Sequence, residues 1–408
     1  VFKSKSRMYT ILMVFLLTVI VTGYTNDAAQ AARAPAATWS FVILGDTRGD
    51  FDPTKMPPYD ITTQTGVSND LGRISAEVAL LNPDFVLHVG DLILGDLIKV
   101  TASLGFKGLP DIPFAQQYVA FKTAVKPITD KGIPIYTVRG NHEVSCGDGI
   151  NGPPDPAQAA AYYQAMGQYM PQNYTRAWGR KSGGDQRGLT YSFTHKQVTV
   201  VAVDQYSYYV APDPQPVPWY APKNVTWGTN LWGFHTIDQA WVSDQLKKAK
   251  TPFKIVFAHE PVFVASAAPY PPNGQEYEWF AELYFGPSSL GGQARRQEFV
   301  DMLGNNGVQL YAVGHVHNMS IASFTDTAGH KMYQLTAGNG GAYPMNNAPN
   351  PPTPEPALKG AQYELEKPGF TYVTVNPNTN KMLMEYYVMD RDDHTWSRES
   401  FTTEIPGS

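Results

Sequence analysis

The sequence predicts an α/β layered protein, and three observations carry that prediction. Strand-length apolar runs rich in Val, Ile, Tyr and Phe recur along the chain, beginning with WSFVILGD at 39–46 and DFVLHVGD at 84–91. Helical patterns lie between the earlier runs, which argues for layers of helix against sheet. The closing runs follow one another without a helix, which predicts antiparallel pairing at the end of the chain.

The first thirty or so residues stand apart. Lys3, Lys5 and Arg7 precede the apolar run ILMVFLLTVIVTG at 11–23, and AAQA at 28–31 offers the small residues a signal peptidase reads. The expectation is an export signal over 1–31, cleaved to leave one domain over 32–408 that is secreted, periplasmic or at the cell surface. A retained membrane anchor is the alternative, although the uncharged stretch from Met8 to Asn26 includes several Thr and Gly and a span needs ~20 apolar residues. Cleavage removes three Lys/Arg and one Asp, which takes the formal charge from -5 to -7. Nothing else reads as transmembrane, so no membrane contact is expected afterwards.

Strands are expected over 39–46, 84–91, 133–141, 190–195, 198–204, 253–260, 308–315, 331–338, 370–376 and 381–389. Helices are expected over 68–82, 113–128, 155–170, 236–250 and 291–306. In the fourth, Thr236 is the expected N-cap, with Ile237, Trp241 and Leu246 on one face. No linker-like composition cuts the strand series, hence the single domain. Three loops, 209–228, 266–280 and 346–360, are rich in Pro and aromatics, too stiff for helix and too apolar for solvated linkers.

Composition removes several classes. With 43% hydrophobic residues among 408, the chain has the means to bury a large core and is no disordered tail. A charge of -5 without runs of like sign excludes a basic nucleic-acid surface, so no nucleic-acid partner is expected. Cys146 is the only cysteine, so no internal disulfide can form. It reads as a small buried filler, with a reactive thiol as the alternative. The sequons at Asn173, Asn224 and Asn318 matter only in a glycosylating host.

The chemistry lies where strands end. Gly45-Asp46, Gly90-Asp91, Gly140-Asn141-His142 and Gly314-His315-Val316-His317 close four apolar runs, and IVFAH ends a fifth on His259. In open α/β sheets, ligands collect outside the carboxyl ends of strands. Side chains two positions apart on an extended chain point the same way, so His315 and His317 are expected to face one crevice, with Gly314 permitting close backbone approach. Imidazoles, carboxylates and one amide oxygen make a mixed donor set suited to Zn, Fe or Mn rather than Ca or Mg. A single strand-end Asp is usually a turn residue, and H-x-H is short; five such ends in one chain exceed what turn chemistry explains.

These blocks resemble the calcineurin-like metallophosphoesterases, including the purple acid phosphatase branch. They stand here as GDTRGD (45–50), GDLILGD (90–96), GNHE (140–143), AHEP (258–261) and GHVH (314–317), and the resemblance covers about residues 39–320. It implies a four-layer α/β/β/α sandwich, two mixed sheets flanked by helices, with two metal ions and hydrolysis of phosphate esters by a metal-bound hydroxide. Carried over by position, Asp91, Asn141, His259 and His315 hold one ion, while Asp46, Asp91 and His317 hold the other, with Asp91 bridging. The resemblance gives His142 contact with the phosphoryl group or the leaving oxygen, and Glu143 the task of orienting its neighbours.

Two positions depart from the family pattern. Arg48 stands where many relatives place a metal-binding histidine, and a guanidinium stays protonated and cannot ligate. Leu94 stands where purple acid phosphatases place a tyrosine, so no purple colour is expected. The site on Asp46 and His317 is therefore expected to be weakly occupied, or completed by water or another residue. Arg48 either clamps a substrate phosphate or pairs with Asp50 or another acid. The expected activity is that of a phosphomonoesterase on a small phosphorylated substrate, with phosphodiesterase or nucleotidase as the alternative. The aromatic loops carrying Trp219, Tyr220, Trp227, Trp232, Tyr277 and Trp279 either stack a nucleobase or aryl group or pack as lids. A noncatalytic binding protein on the same scaffold is the reading from another class.

Overall fold

The computed structural model describes residues 36–49, 65–95, 112–144, 156–173, 187–205, 237–264, 292–342 and 355–408. The expected export signal, Asp50, Cys146, Asn224, Thr236, the loops 209–228 and 266–280, and most of the loop 346–360 lie outside them.

Period-two burial generates two sheets. One holds β1 (Trp39–Leu44), β2 (Val86–His88), β3 (Ile135–Thr137), β11 (Gly369–Asn376), β12 (Lys381–Met389) and β13 (Trp396–Pro406), in the order β13-β12-β11-β1-β2-β3. The other holds β4 (Tyr191–His195), β5 (Val198–Ala202), β6 (Phe253–Phe257), β7 (Leu310–Val313), β8 (Met319–Thr325), β9 (Lys331–Ala337) and β10 (Lys359–Glu364), ordered β10-β8-β9-β7-β6-β5-β4. Within β1, Phe41 and Ile43 enter the core between the sheets, while Val42 and Leu44 enter a second core under helices. The other sheet alternates likewise, with Val200, Ile255, Leu310 and Ala312 facing inward and Val201, Val256, Tyr311 and Val313 facing outward.

Helices cover both outer faces. Leu71, Ile74 and Val78 of α1 (Asp70–Leu81), Tyr118 and Phe121 of α2 (Phe114–Ala124), Ile128 of α3 (Lys126–Thr129) and Tyr162 of α4 (Pro156–Ala165) pack on the first sheet. Val242 and Leu246 of α5 (Gln239–Lys248) and Phe299, Val300 and Leu303 of α6 (Gly292–Asn305) pack on the second. The result is the expected four-layer α/β/β/α sandwich. Each fully buried Leu, Val or Phe in it contributes about 1.5–3 kcal/mol of apolar transfer free energy.

β1, β2 and β3 are mutually parallel, as are β5, β6, β7 and β9 in sheet order. Their carboxyl ends therefore share an edge in each sheet. The pairing of β11, β12 and β13 is antiparallel, as the closing runs predicted.

Some local expectations are corrected. The run at 113–128 breaks at Val125, because Pro127 at the start of α3 has no N–H to continue the ladder. Asp238, not Thr236, caps α5: its carboxylate accepts the Trp241 N–H at 3.0 Å. Strands β8, β10 and β13 were not anticipated. β8 is buried on both faces and rich in Ser and Ala, while β13 is a polar edge strand whose charged side chains are what an exposed edge requires. Asn318 is buried, so of the described sequons only Asn173 is exposed.

Candidate metal centre

Every expected ligand follows the carboxyl end of a parallel strand. Asp46 follows β1, Asp91 follows β2, and Asn141 and His142 sit in a 3-10 turn (Asn141–Glu143) after β3; His259 follows β6, and His315 and His317 follow β7. Two sheets thus deliver donors to one place. The backbone must turn sharply to do so. Asp46, Asp91 and His315 have φ of 55°, 55° and 69°, in the left-handed region that costs a non-glycine residue about 1–3 kcal/mol. Backbone bonds hold two of them there: Asp46 N–H donates to Gly90 O, and the N–H groups of Thr47 and Arg48 donate to Asp91 O.

His315 and His317 both reach the centre, though not by the expected strand alternation. Residues 315–318 form a chain of bends, and the left-handed turn at His315 redirects the histidines. The preceding glycine is required by close approach: a Cβ on Gly314 would lie 2.2 Å from Asp46 Oδ2, and one on Gly140 would lie 2.0 Å from Asp91 Oδ1.

Four donors converge. Asn141 Oδ1 lies 3.0 Å from His259 Nε2 and 3.1 Å from His315 Nδ1. His259 Nε2 lies 3.3 Å from both His315 Nδ1 and Asp91 Oδ1. His259 gives its Nδ1–H to Val89 O at 2.8 Å, so its Nε2 presents a lone pair to the other donors. Burial holds both His259 and His315 down at about 3, so the imidazoles are neutral. Acceptors facing one another at such distances fit a cation, because ligands held at ~2.1 Å from one ion are spaced about 3–3.4 Å apart. Ligand atoms of Asp46, Asp91 and His259, all buried, lie within 4.8 Å of one another, so the two clusters adjoin at Asp91.

Neighbouring groups fix these side chains. Glu143 accepts the N–H groups of Asp91 (2.9 Å), Leu92 (2.7 Å), Ile93 (3.1 Å) and Gly140 (2.6 Å), which ties the Asp91 loop to the Asn141 turn. Burial, then the charge of Asp91, pushes its carboxyl up to about 8. His142 donates Nδ1–H to Leu94 O at 2.7 Å, which leaves Nε2 3.8 Å from Asp91 Oδ2. The residue in the tyrosine's place thus contributes its carbonyl.

Sequence reading missed the polar pair Asp204-Gln205 after β5, although it follows a strand end as the other motifs do. Gln205 Oε1 accepts the N–H of His259 (2.9 Å) and of Glu260 (2.7 Å). Asp204 takes a buried bidentate contact from Arg139 at 3.1 and 2.6 Å, joining the ends of β3 and β5 across the sandwich.

The second cluster differs. Arg48 is 6% exposed, and its Nη2 lies 2.9 Å from His317 Nε2 while Nε lies 3.3 Å from Asp91 Oδ2. Arg48 is therefore not a surface residue. Asp46 accepts the His315 N–H at 2.9 Å and sits 3.7 Å from His317 Nε2. Burial and then Asp91 raise the Asp46 carboxyl well above the usual range, against the pull of Arg48.

Fold and centre together define a metal-binding α/β sandwich with its donors at strand ends. The chain belongs to the calcineurin-like phosphoesterase family, whose model matches residues 40–319. Among solved structures, it is similar to a purple acid phosphatase from yellow lupin (Lupinus luteus) seeds, with a TM-score of 0.54 and 18% identity over 91% of this chain and 54% of that one. It is also similar to PhoD, with a TM-score of 0.52 and 13% identity over 92% of this chain and 73% of that one. The chain spans about half the length of the lupin protein. At these identities the likeness is one of fold. No curated protein matches the chain in sequence.

Proposed function

We propose that the chain is a metal-dependent phosphohydrolase whose metal is held by Asp91, Asn141, His259 and His315, and that it acts most simply as a phosphomonoesterase on a small phosphorylated substrate. The observation that supports this is the convergence of those four donors at 3.0–3.3 Å. A bound Zn, Mn or Fe ion supplies Lewis acidity toward a phosphoryl oxygen and lowers the pKa of a water. The remaining work falls to the chain's own residues.

His142 stands beside the donors, with its ring fixed by Leu94 O and its Nε2 3.8 Å from Asp91 Oδ2. Burial, then Arg48, holds it down at about 4, so it is neutral before substrate arrives. A phosphate dianion beside Nε2 favours the protonated ring, which then hydrogen-bonds the phosphoryl group or gives its proton to the leaving oxygen. Arg48 places a buried positive charge at the same centre and draws phosphate toward it. Asn141 and His315 are the least buried donors, so substrate enters on their side. Lys3, Lys5, Arg7 and the apolar run behind them support export of the protein.

The test is chelation followed by reloading with Mn, Zn or Fe, and assay on p-nitrophenyl phosphate and its bis ester. Metal-dependent turnover of the monoester, lost in Asn141→Ala and His142→Ala, is the expected result. Preference for the bis ester replaces monoesterase by diesterase, and turnover indifferent to metal and to both substitutions overturns the assignment.

A further inference from the structure

We infer that the guanidinium of Arg48 is a built-in second cation, standing among Asp46, Asp91 and His317, so that the chain binds one metal ion per molecule rather than two. The inference rests on the metal site proposed above and concerns the neighbouring position, where the residues do not fit a second ion.

Three features of that position carry it. The His317 Nε2 lone pair, the atom that would coordinate, is taken by Arg48 Nη2 at 2.9 Å. Asp91 Oδ2, the oxygen left when Oδ1 faces His259, is met by Arg48 Nε at 3.3 Å. Asp46, buried without exposure, already accepts the His315 N–H with both oxygens, at 3.1 and 2.9 Å. A guanidinium stays charged at any working pH and cannot step aside by losing a proton. A second ion would sit against that fixed charge in a place shielded from water, where repulsion is poorly screened.

The geometry also balances the buried charge at this position. Asp46 and Asp91 are two buried carboxylates, and a buried charge persists only when paired. Arg48 supplies a partner permanently. It is anchored at its own backbone as well, through the Arg48 N–H to Asp91 O and an isolated bridge to Val67. The Asp91/Asn141/His259/His315 donors, by contrast, face one another at 3.0–3.3 Å and call for a metal.

The test counts metals. Chelator-stripped full chain is titrated with Mn(II) by calorimetry, total metal is measured after dialysis, and the Mn(II) spectrum is recorded by electron paramagnetic resonance. The same is done for Arg48→His, which exchanges the cation for a ligand, for Arg48→Gln, which removes the charge without adding one, and for His259→Ala. Wild type is expected to bind one Mn(II) with the spectrum of an isolated ion. Arg48→His is expected to bind two, as an exchange-coupled pair, with Arg48→Gln giving a weaker second site should the histidine variant not fold. Two ions of comparable affinity in wild type would overturn the inference while leaving the proposed function intact. A single ion in wild type and in both Arg48 variants would overturn it too, because Arg48 would then not be what excludes the second. No ion in wild type, or stoichiometry unchanged in His259→Ala, would instead sink the metal site itself.

Discussion

Replacing Glu143 by Gln tests the bond network that joins the two main ligand loops. In the wild type, Oε1 accepts from Leu92 and Ile93 and Oε2 accepts from Asp91 and Gly140, all buried. Glutamine has one acceptor oxygen and an NH2 group, so whichever way it sits, two backbone N–H groups face a donor. Each buried donor left without an acceptor costs about 1–3 kcal/mol. Glu143→Gln is therefore expected to be destabilised by about 2–6 kcal/mol. Its metal affinity should fall by about 10–100-fold, the usual effect of removing a group that orients ligands. Metal-loaded protein is the proper sample, because a cation on Asp91 offsets the repulsion that helps lift the Glu143 carboxyl to about 8. Urea unfolding gives the stability and calorimetric titration with Mn(II) gives the affinity. A variant within about 0.5 kcal/mol of wild type, a shift typical of inconsequential surface changes, with unaltered affinity would refute the reasoning.

Four further outcomes are expected. Gly140→Ala places a Cβ 2.0 Å from Asp91 Oδ1, so it should keep the fold by circular dichroism yet lose about tenfold or more in metal affinity. His142→Ala should lower kcat by about 10²–10⁴ with the metal content of wild type; loss of metal instead would make His142 a ligand or a scaffold. Asp204→Asn leaves the buried Arg139 guanidinium without its carboxylate and should cost about 3–5 kcal/mol in thermal or urea unfolding. His88 is buried, and burial and then His259 lower it from 6.5 to about 3, so below pH 6.5 the unfolded chain takes up a proton that the folded chain refuses. Stability contributed by this neutral ring is thus complete above pH 6.5 and lost toward pH 3, at about 1.4 kcal/mol per pH unit. Metal-free wild type should weaken more than His88→Gln between pH 7 and 4.5; equal slopes would exclude the effect.

Much of the fold was legible because strands with one face on each of two cores write a continuous apolar run that ends abruptly at a turn. The ten anticipated strands all form, most of them trimmed at their ends, and the five helical patterns mark true helices. What escaped had weak local signal. β13 lies at a sheet edge and needs few apolar residues, and β10 starts at Lys359, inside the stretch that read as loop. The candidate ligands were legible for a related reason: polar residues directly after an apolar run stand out. Gln205 stood in such a place too, but its carboxamide grips backbone N–H groups, and no residue pattern announces that.

By itself, the sequence determined which residues occupy the strand ends and in what order, since apolar periodicity is a local property of the chain. It also determined that position 48 carries an arginine where an imidazole would otherwise suit. Tertiary structure alone decided where these residues go. Asp46 and His315 touch across 269 positions of sequence because sheet order and the packing of one sheet on the other bring their strand ends together. The direction of Arg48, inward to His317 and Asp91 rather than out to solvent, follows from burial and charge pairing that exist only once both sheets are in place.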